Sequence, residues 1–95
     1  MHARVARFEL GDDPDQMIEA VRSDVESGTP PPGLEEIRGM TMLVDRSGGT
    51  AMAIVLFEDE AAMARGDAVL NQMSPSGPSR RTGVEFYEVA IQRML

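Results

Sequence analysis

The residues with chemical potential gather at the two ends of the chain. Near the end, "TGVEFYEVAIQ" (Thr82 to Gln92) places Glu85 and Glu88 around Tyr87, the single tyrosine. Near the start, Arg7 lies in an apolar stretch and His2 is the single histidine. Tyr87 could hydrogen-bond a phenolic ligand, a desolvated Glu could act as a base, and the Arg7 fork could hold a carboxylate or enolate. The plainer alternative is an edge strand whose acids pair with Arg4 or Arg7 on a neighbouring strand. Alternation puts Glu85 and Tyr87 on one face and Glu88 on the other, so the three cannot line one pocket. His2, close to the N-terminus, reads as a bystander.

Other chemistries find little support. The sequence has no Cys, which removes disulfides, thiolate nucleophiles and Cys-based metal sites. With a lone His, nucleophilic triads are out of reach, and no Gly-rich phosphate loop appears. The eight Met are scattered at core spacing without a Met-x-x-Met run, so they read as adaptable packing and not as a copper site. The acidic stretch from Asp12 to Glu26 lacks the ligand spacing of a calcium loop. No metal and no cofactor is expected.

Elements that could position Arg7 and Tyr87 follow from the pattern. Ala3–Leu10 alternates loosely as a strand. Asp13 is a good N-cap, with Pro14 at the first helical position and Gln16 completing a capping-box spacing. Met17, Ile18, Val21 and Val25 then recur at helical spacing, and Gly28 can end the helix. "TPPPG" (Thr29 to Gly33) is an extended connector. Glu36–Arg46 and Thr50–Phe57, joined by "SGG", form a hairpin. Glu58 or Asp59 caps a second helix, whose buried stripe is Ala62, Gly66, Val69, Leu70 and Met73. Gly66 in that stripe allows close approach to a sheet. "SPSGPSRRTG" reads as a loop, with Arg80 and Arg81 near a pocket mouth. The last strand starts at Gly83.

The order β-α-β-β-α-β predicts an α+β, ferredoxin-like domain over residues 1–95. Two helices lie on one face of a four-stranded antiparallel sheet, with the first and third strands central. Ninety-five residues leave no room for a second domain. Both parities of the third strand are apolar: Met52, Ile54 and Leu56 alternate with Ala51, Ala53, Val55 and Phe57. A sheet apolar on both faces is normally covered on both. A homodimer through the open face would supply the cover.

The net charge of −7 and pI near 4.5 oppose binding to nucleic acid or anionic membrane. All nine cationic residues are Arg and form no patch. The N-terminus makes a poor signal peptide and no apolar run could span a bilayer, so a cytoplasmic location is expected.

"PGLEEIRGMTMLVDRSGGTAMAIVLFEDEAAMARGDAVL", together with "VEFYEVA", resembles the antibiotic-biosynthesis-monooxygenase-like proteins of the dimeric α/β-barrel superfamily. The shared pattern is a Pro-Gly before the second strand, a Gly within that strand, a tight hairpin, and an aromatic and acids before "EAAM". The resemblance implies a homodimer in which two sheets face each other as a barrel, helices outside. It also implies, for some members, oxidation of small aromatic molecules without metal or flavin. The haem-degrading relatives use a His on the second helix with a nearby Asn and Trp. This chain has no Trp, and its single His and Asn are His2 and Asn71. On this reading a small aromatic ligand would meet Arg7, Phe8, Met40, Phe57, Met63 and Tyr87. A non-catalytic ligand-binding or structural dimer module is the alternative.

Overall fold

The computed structural model describes residues 1–26, 34–72 and 80–94. Six elements follow in the order β1 (His2–Glu9), α1 (Pro14–Glu26), β2 (Ile37–Asp45), β3 (Thr50–Phe57), α2 (Glu60–Leu70) and β4 (Arg80–Glu88). The sheet order is β2-β3-β1-β4, with every neighbouring pair antiparallel. This is the ferredoxin-like α+β arrangement, with β1 and β3 central as the sequence implies. β1 and β2 run parallel with β3 between them, as do β3 and β4 with β1 between them. Right-handed crossovers then put both helices on one face.

The helix starts follow their capping chemistry. The Gln16 amide donates to the Asp13 carboxylate at 3.2 Å, and Pro14 opens α1. At α2 the cap is Asp59, in extended conformation, and accepts from the Ala62 amide at 2.8 Å. Met17 is buried on α1, while Val25 in its last turn is exposed. In the hairpin, Gly48 N donates to the Asp45 carboxylate and Gly49 N to the Asp45 carbonyl, both at 2.9 Å. Gly49 takes a φ of 69°, which a side chain would resist.

The core lies between the sheet and α2. Val55, Phe57, Ala62 and Met63 form its centre, with Ile37 packed against them. A Cβ on Gly66 would overlap the Phe57 ring, so this glycine sets how closely α2 approaches β3. Two irregularities of register tune which residues reach this core. In β2, Ile37 opposes Phe57 and Gly39 opposes Leu56, so Arg38 is the extra residue. The bulge turns Ile37 toward the core while Gly39 stays on the other face. In β4, Gly83 opposes Arg7 and Arg81 opposes Phe8, so Thr82 is the extra residue.

The last strand differs from its sequence-based bounds at both ends. Arg80 and Arg81 belong to β4 and not to a loop, because they pair with Glu9 and Phe8 of β1. The strand ends at Glu88 and not at Gln92, because the β1–β4 ladder reaches no further than His2 opposite Glu88. One further bond, from the Val89 amide to the Met1 carbonyl at 2.9 Å, follows it. The expected helix stop at Gly28, the connector from Thr29 to Gly33, Met73 and the loop from Ser74 to Ser79 lie outside the described residues.

Candidate functional site: an arginine-carboxylate-tyrosine cluster on the open sheet face

Strand alternation sorts the candidate residues onto two sides of the sheet. Arg4 reaches α2, where its Nε donates to Asp67 at 2.8 Å and its Nη2 to Asn71 at 3.3 Å. The even positions of β1 therefore face the helices, and Phe8 is among them. Register carries that face to Met40, which opposes Val55, and to Phe57 itself. Met63 meets them from α2 within the core. Arg7 and Tyr87 are on the opposite, open face. The structure thus brings together Phe57 and Met63 in the core and, separately, Arg7 with Tyr87 on the open face and Arg7 with Phe8 in a groove at the end of the sheet. It does not gather all the sequence-derived candidates around one cavity. Met40 lies on an edge strand and is exposed.

On the open face Arg7, Glu85 and Tyr87 form a continuous polar cluster. β1 and β4 bring them together: Arg7 opposes Gly83 and Val5 opposes Glu85. The Arg7 Nε donates to Glu85 Oε1 at 2.5 Å, and the Tyr87 hydroxyl donates to Glu85 Oε2 at 2.6 Å. Both carboxylate oxygens are engaged. The sequence allowed either Arg4 or Arg7 as the cross-strand partner. Arg7 is that partner, whereas Arg4 is turned through the sheet to α2. Glu88, on the other parity, stands opposite His2.

The protonation states follow from these bonds. The Tyr87 hydroxyl and then the Arg7 guanidinium hold the Glu85 carboxyl below its usual range. The same Glu85 bond pushes the Tyr87 phenol above its usual value of 10.0. Glu85 is therefore an ionised acceptor and Tyr87 a neutral donor near pH 7. A desolvated, proton-accepting Glu is not what this geometry builds. It builds one carboxylate that accepts from both Arg7 and Tyr87, leaving the other N–H groups of the Arg7 guanidinium as donors.

Because Tyr87 is the single tyrosine, its ionisation can be followed directly by ultraviolet absorbance. The midpoint is expected above 10, and Glu85→Gln should bring it back toward 10. A wild-type midpoint at or below 10 would contradict the hydrogen bond. For Glu85, a folded-state value below the unfolded one means its contribution to stability is present above about pH 4.5. That contribution is lost as pH falls through the folded value.

Next to the cluster is a groove of about 420 Å³. Its walls include Arg7, Glu9, Leu43, Thr50, Met52 and Thr82. Arg7, Glu9, Leu43, Thr50 and Met52 are on the open face, whereas Phe8, Val44 and Ala51, which also line the groove, are on the helix side, so it wraps around the end of the sheet. Glu9 is neutralised by Arg80 at 2.6 Å, an ion pair that the Thr82 bulge makes possible. Its lining mixes apolar Phe8, Leu43 and Met52 with polar Glu9, Asp45, Thr50 and Thr82, and Arg7 is the one groove cation among the described residues. Leu43, Met52 and Thr82 were not singled out from the sequence. Their signal was the alternation of β2 and β3 combined with register, legible only once the helix-facing side is known. Among the described residues no group of three or more His, Asp or Glu is placed to hold a metal ion. None of the described helices is long and apolar enough to cross a membrane.

Comparison with known proteins reaches the architecture. No family model matches the sequence, and no curated protein does. A solved structure described as an antibiotic biosynthesis monooxygenase superposes with a TM-score of 0.58 over 96% of this chain and 100% of the other. The two sequences are 15% identical. At that identity the likeness is one of fold: this chain is built on the same ferredoxin-like α+β plan as that monooxygenase.

Proposed function

We propose that the chain acts as a homodimer that binds a small, flat, largely apolar molecule carrying a hydroxyl or carbonyl group. The observation that carries this reading is the groove of about 420 Å³ at the end of the sheet, with Arg7 in its wall. Its volume is that of a small-molecule site, and its lining combines apolar side chains with the Arg7 guanidinium. Arg7 supplies the oriented group: Glu85 holds its Nε, and the remaining guanidinium N–H groups are left to donate to a ligand oxygen. Support for the dimer comes from the open face. Leu43 and Tyr87 are exposed there, Met52, Ile54 and Leu56 are half-buried, and no described helix covers them.

A second reading, a cofactor-independent monooxygenase, is favoured by the fold shared with a solved monooxygenase. In that reaction an electron-rich aromatic AH2 and O2 give AO and water. The substrate supplies both electrons and both hydrogens. The free N–H groups of Arg7 would stabilise the oxyanion of the deprotonated substrate.

Titration with 1-naphthol, followed by amide NMR shifts, tests both readings. Shifts concentrated at Arg7, Leu43, Met52 and Thr82 are expected, and their absence at millimolar naphthol sinks the groove as a site. If naphthol binds, mass spectrometry of the ligand after incubation in air decides the second reading. Oxygen gained and hydrogen lost, beyond the protein-free control, supports the oxygenase. Unchanged naphthol leaves binding alone.

A further inference from the structure

Two arginine-carboxylate pairs of this protein differ in kind. Arg65 meets Glu36 through two bonds, Nε to Oε1 at 2.8 Å and Nη2 to Oε2 at 2.7 Å. Both carboxylate oxygens are spent on one guanidinium, in the fork that these two planar groups commonly make. Arg7 meets Glu85 through one bond, Nε to Oε1. The second oxygen, Oε2, accepts from the Tyr87 hydroxyl at 2.6 Å. Exposure does not separate the pairs, since the side chains of both are about half exposed. What separates them is the third donor.

The three side chains stand in file along β4 and β1. Gly83, Glu85 and Tyr87 occupy alternate positions of β4, opposite Arg7, Val5 and Ala3. Arg7 ends the file and lines the groove, whereas Glu85 and Tyr87 do not line it. Tyr87 is four residues along β4 from the position opposite Arg7, or about 13 Å. It acts on the groove through Glu85 and not by touching what the groove holds.

We propose that Tyr87 is a positioning residue that keeps the Arg7–Glu85 pair single-bonded, so that the Nη1 and Nη2 edge of Arg7 is left for the carboxylate of a flat aromatic acid. This rests on the groove reading above and names its ligand class. Of the five guanidinium N–H groups, the one on Nε goes to Glu85. The Nη1 and Nη2 edge carries a parallel pair of N–H groups, which matches the two oxygens of a carboxylate. A phenol offers a single oxygen and cannot use both as well. The acids of the groove do not compete for that edge. Glu9 is held by Arg80 at 2.6 Å, and the Asp45 carboxylate accepts from the Gly48 amide at 2.9 Å. Without the Tyr87 hydroxyl, Oε2 of Glu85 is free to take an Nη donor. Arg7 would then close into the fork seen at Arg65, and a ligand carboxylate would have to displace an internal one.

Parallel titrations with 1-naphthoate and 1-naphthol at pH 7 and low salt, followed by the Leu43 and Met52 amide shifts, test this. Naphthoate is charged there and naphthol neutral. An exposed ion pair sets the scale, so the wild-type protein is expected to prefer naphthoate by about fivefold. In Tyr87→Phe the preference should fall to about twofold or less. Glu85→Gln has one acceptor oxygen and cannot make the fork, so adding Tyr87→Phe to it should leave the preference as it is in Glu85→Gln alone. Circular dichroism verifies that each variant is folded. Naphthol binding with no preference for naphthoate would overturn the carboxylate and leave the groove standing. A preference that survives Tyr87→Phe, or falls equally in both backgrounds, would overturn the role of Tyr87 alone. If neither compound binds at millimolar concentration, the groove reading fails and this inference fails with it.

Discussion

Phe57→Ala is expected to lower the free energy of unfolding by about 3–5 kcal/mol. Phe57 is 0% exposed and is the largest fully buried side chain among the described residues. It ends β3, touches α2 through Gly66, and meets Ile37 across the sheet. Removing the ring leaves a void beside Gly66 of α2. Domains of this size have about 5–15 kcal/mol in all, so the variant would be marginal at 37 °C. Urea unfolding followed by circular dichroism measures this: the midpoint falls while the slope is unchanged. Gly66→Ala is the complementary change. It gains about 1 kcal/mol of helix propensity, yet the new methyl overlaps the ring, and overpacking of this kind costs about 1–3 kcal/mol. The penalty should shrink in a Phe57→Leu background, because the two sites share one contact. If Gly66→Ala stabilises the wild-type protein, the close approach described here is wrong.

Asp67→Ala should cost about 2–3 kcal/mol through a different mechanism. Arg4 is 3% exposed and its charge is met by Asp67, with Asn71 as a further acceptor. Breaking a buried pair typically costs 3–5 kcal/mol, because the remaining charge is stranded. Asp67 is itself 23% exposed, so water can reach Arg4 once the carboxylate is gone, and the lower figure applies. Replacing both partners, as Arg4→Met with Asp67→Leu, should recover most of the loss, since apolar residues of similar volume do well in such places. The double-mutant cycle reads the coupling directly. A cost below about 1 kcal/mol for Asp67→Ala alone would mean that the guanidinium is solvated in the folded protein.

The parts of this structure that were legible beforehand are those set by local chemistry. Asp13, Pro14 and Gln16 announce the start of α1, and Asp59 the start of α2, because capping involves residues within one turn. The β2–β3 hairpin follows from glycines between two apolar runs. Gly66 announced a close approach, and the Phe57 ring occupies it. The two central strands followed from the element order.

What resisted was long-range. Whether Arg4 or Arg7 would meet the last strand depends on which side of the sheet carries helices, and alternation is silent on that. The same silence put Met40, Phe57 and Met63 in one group with Arg7 and Tyr87, while Phe8 does share the groove with Arg7. The bulges at Arg38 and Thr82 are set by partners far along the chain, so they left no mark that reading could use. β4 ends where its neighbour does, although "VAIQ" alternates well enough to continue.

One consequence of β1's placement concerns fidelity of assembly. This strand is flanked by β3 and β4, and carries one arginine toward α2 and another toward the open face. A slide of β1 by one residue would exchange these destinations. Arg7 would be driven under α2 with no carboxylate prepared for it, and Arg4 would leave Asp67 and Asn71 stranded. Misaligned pairing therefore carries an electrostatic penalty on both sides of the sheet at once. The two arginines act as locating pins, rejecting the near-miss alignments that a run of interchangeable small apolar residues, such as Ala3, Val5 and Ala6, would tolerate.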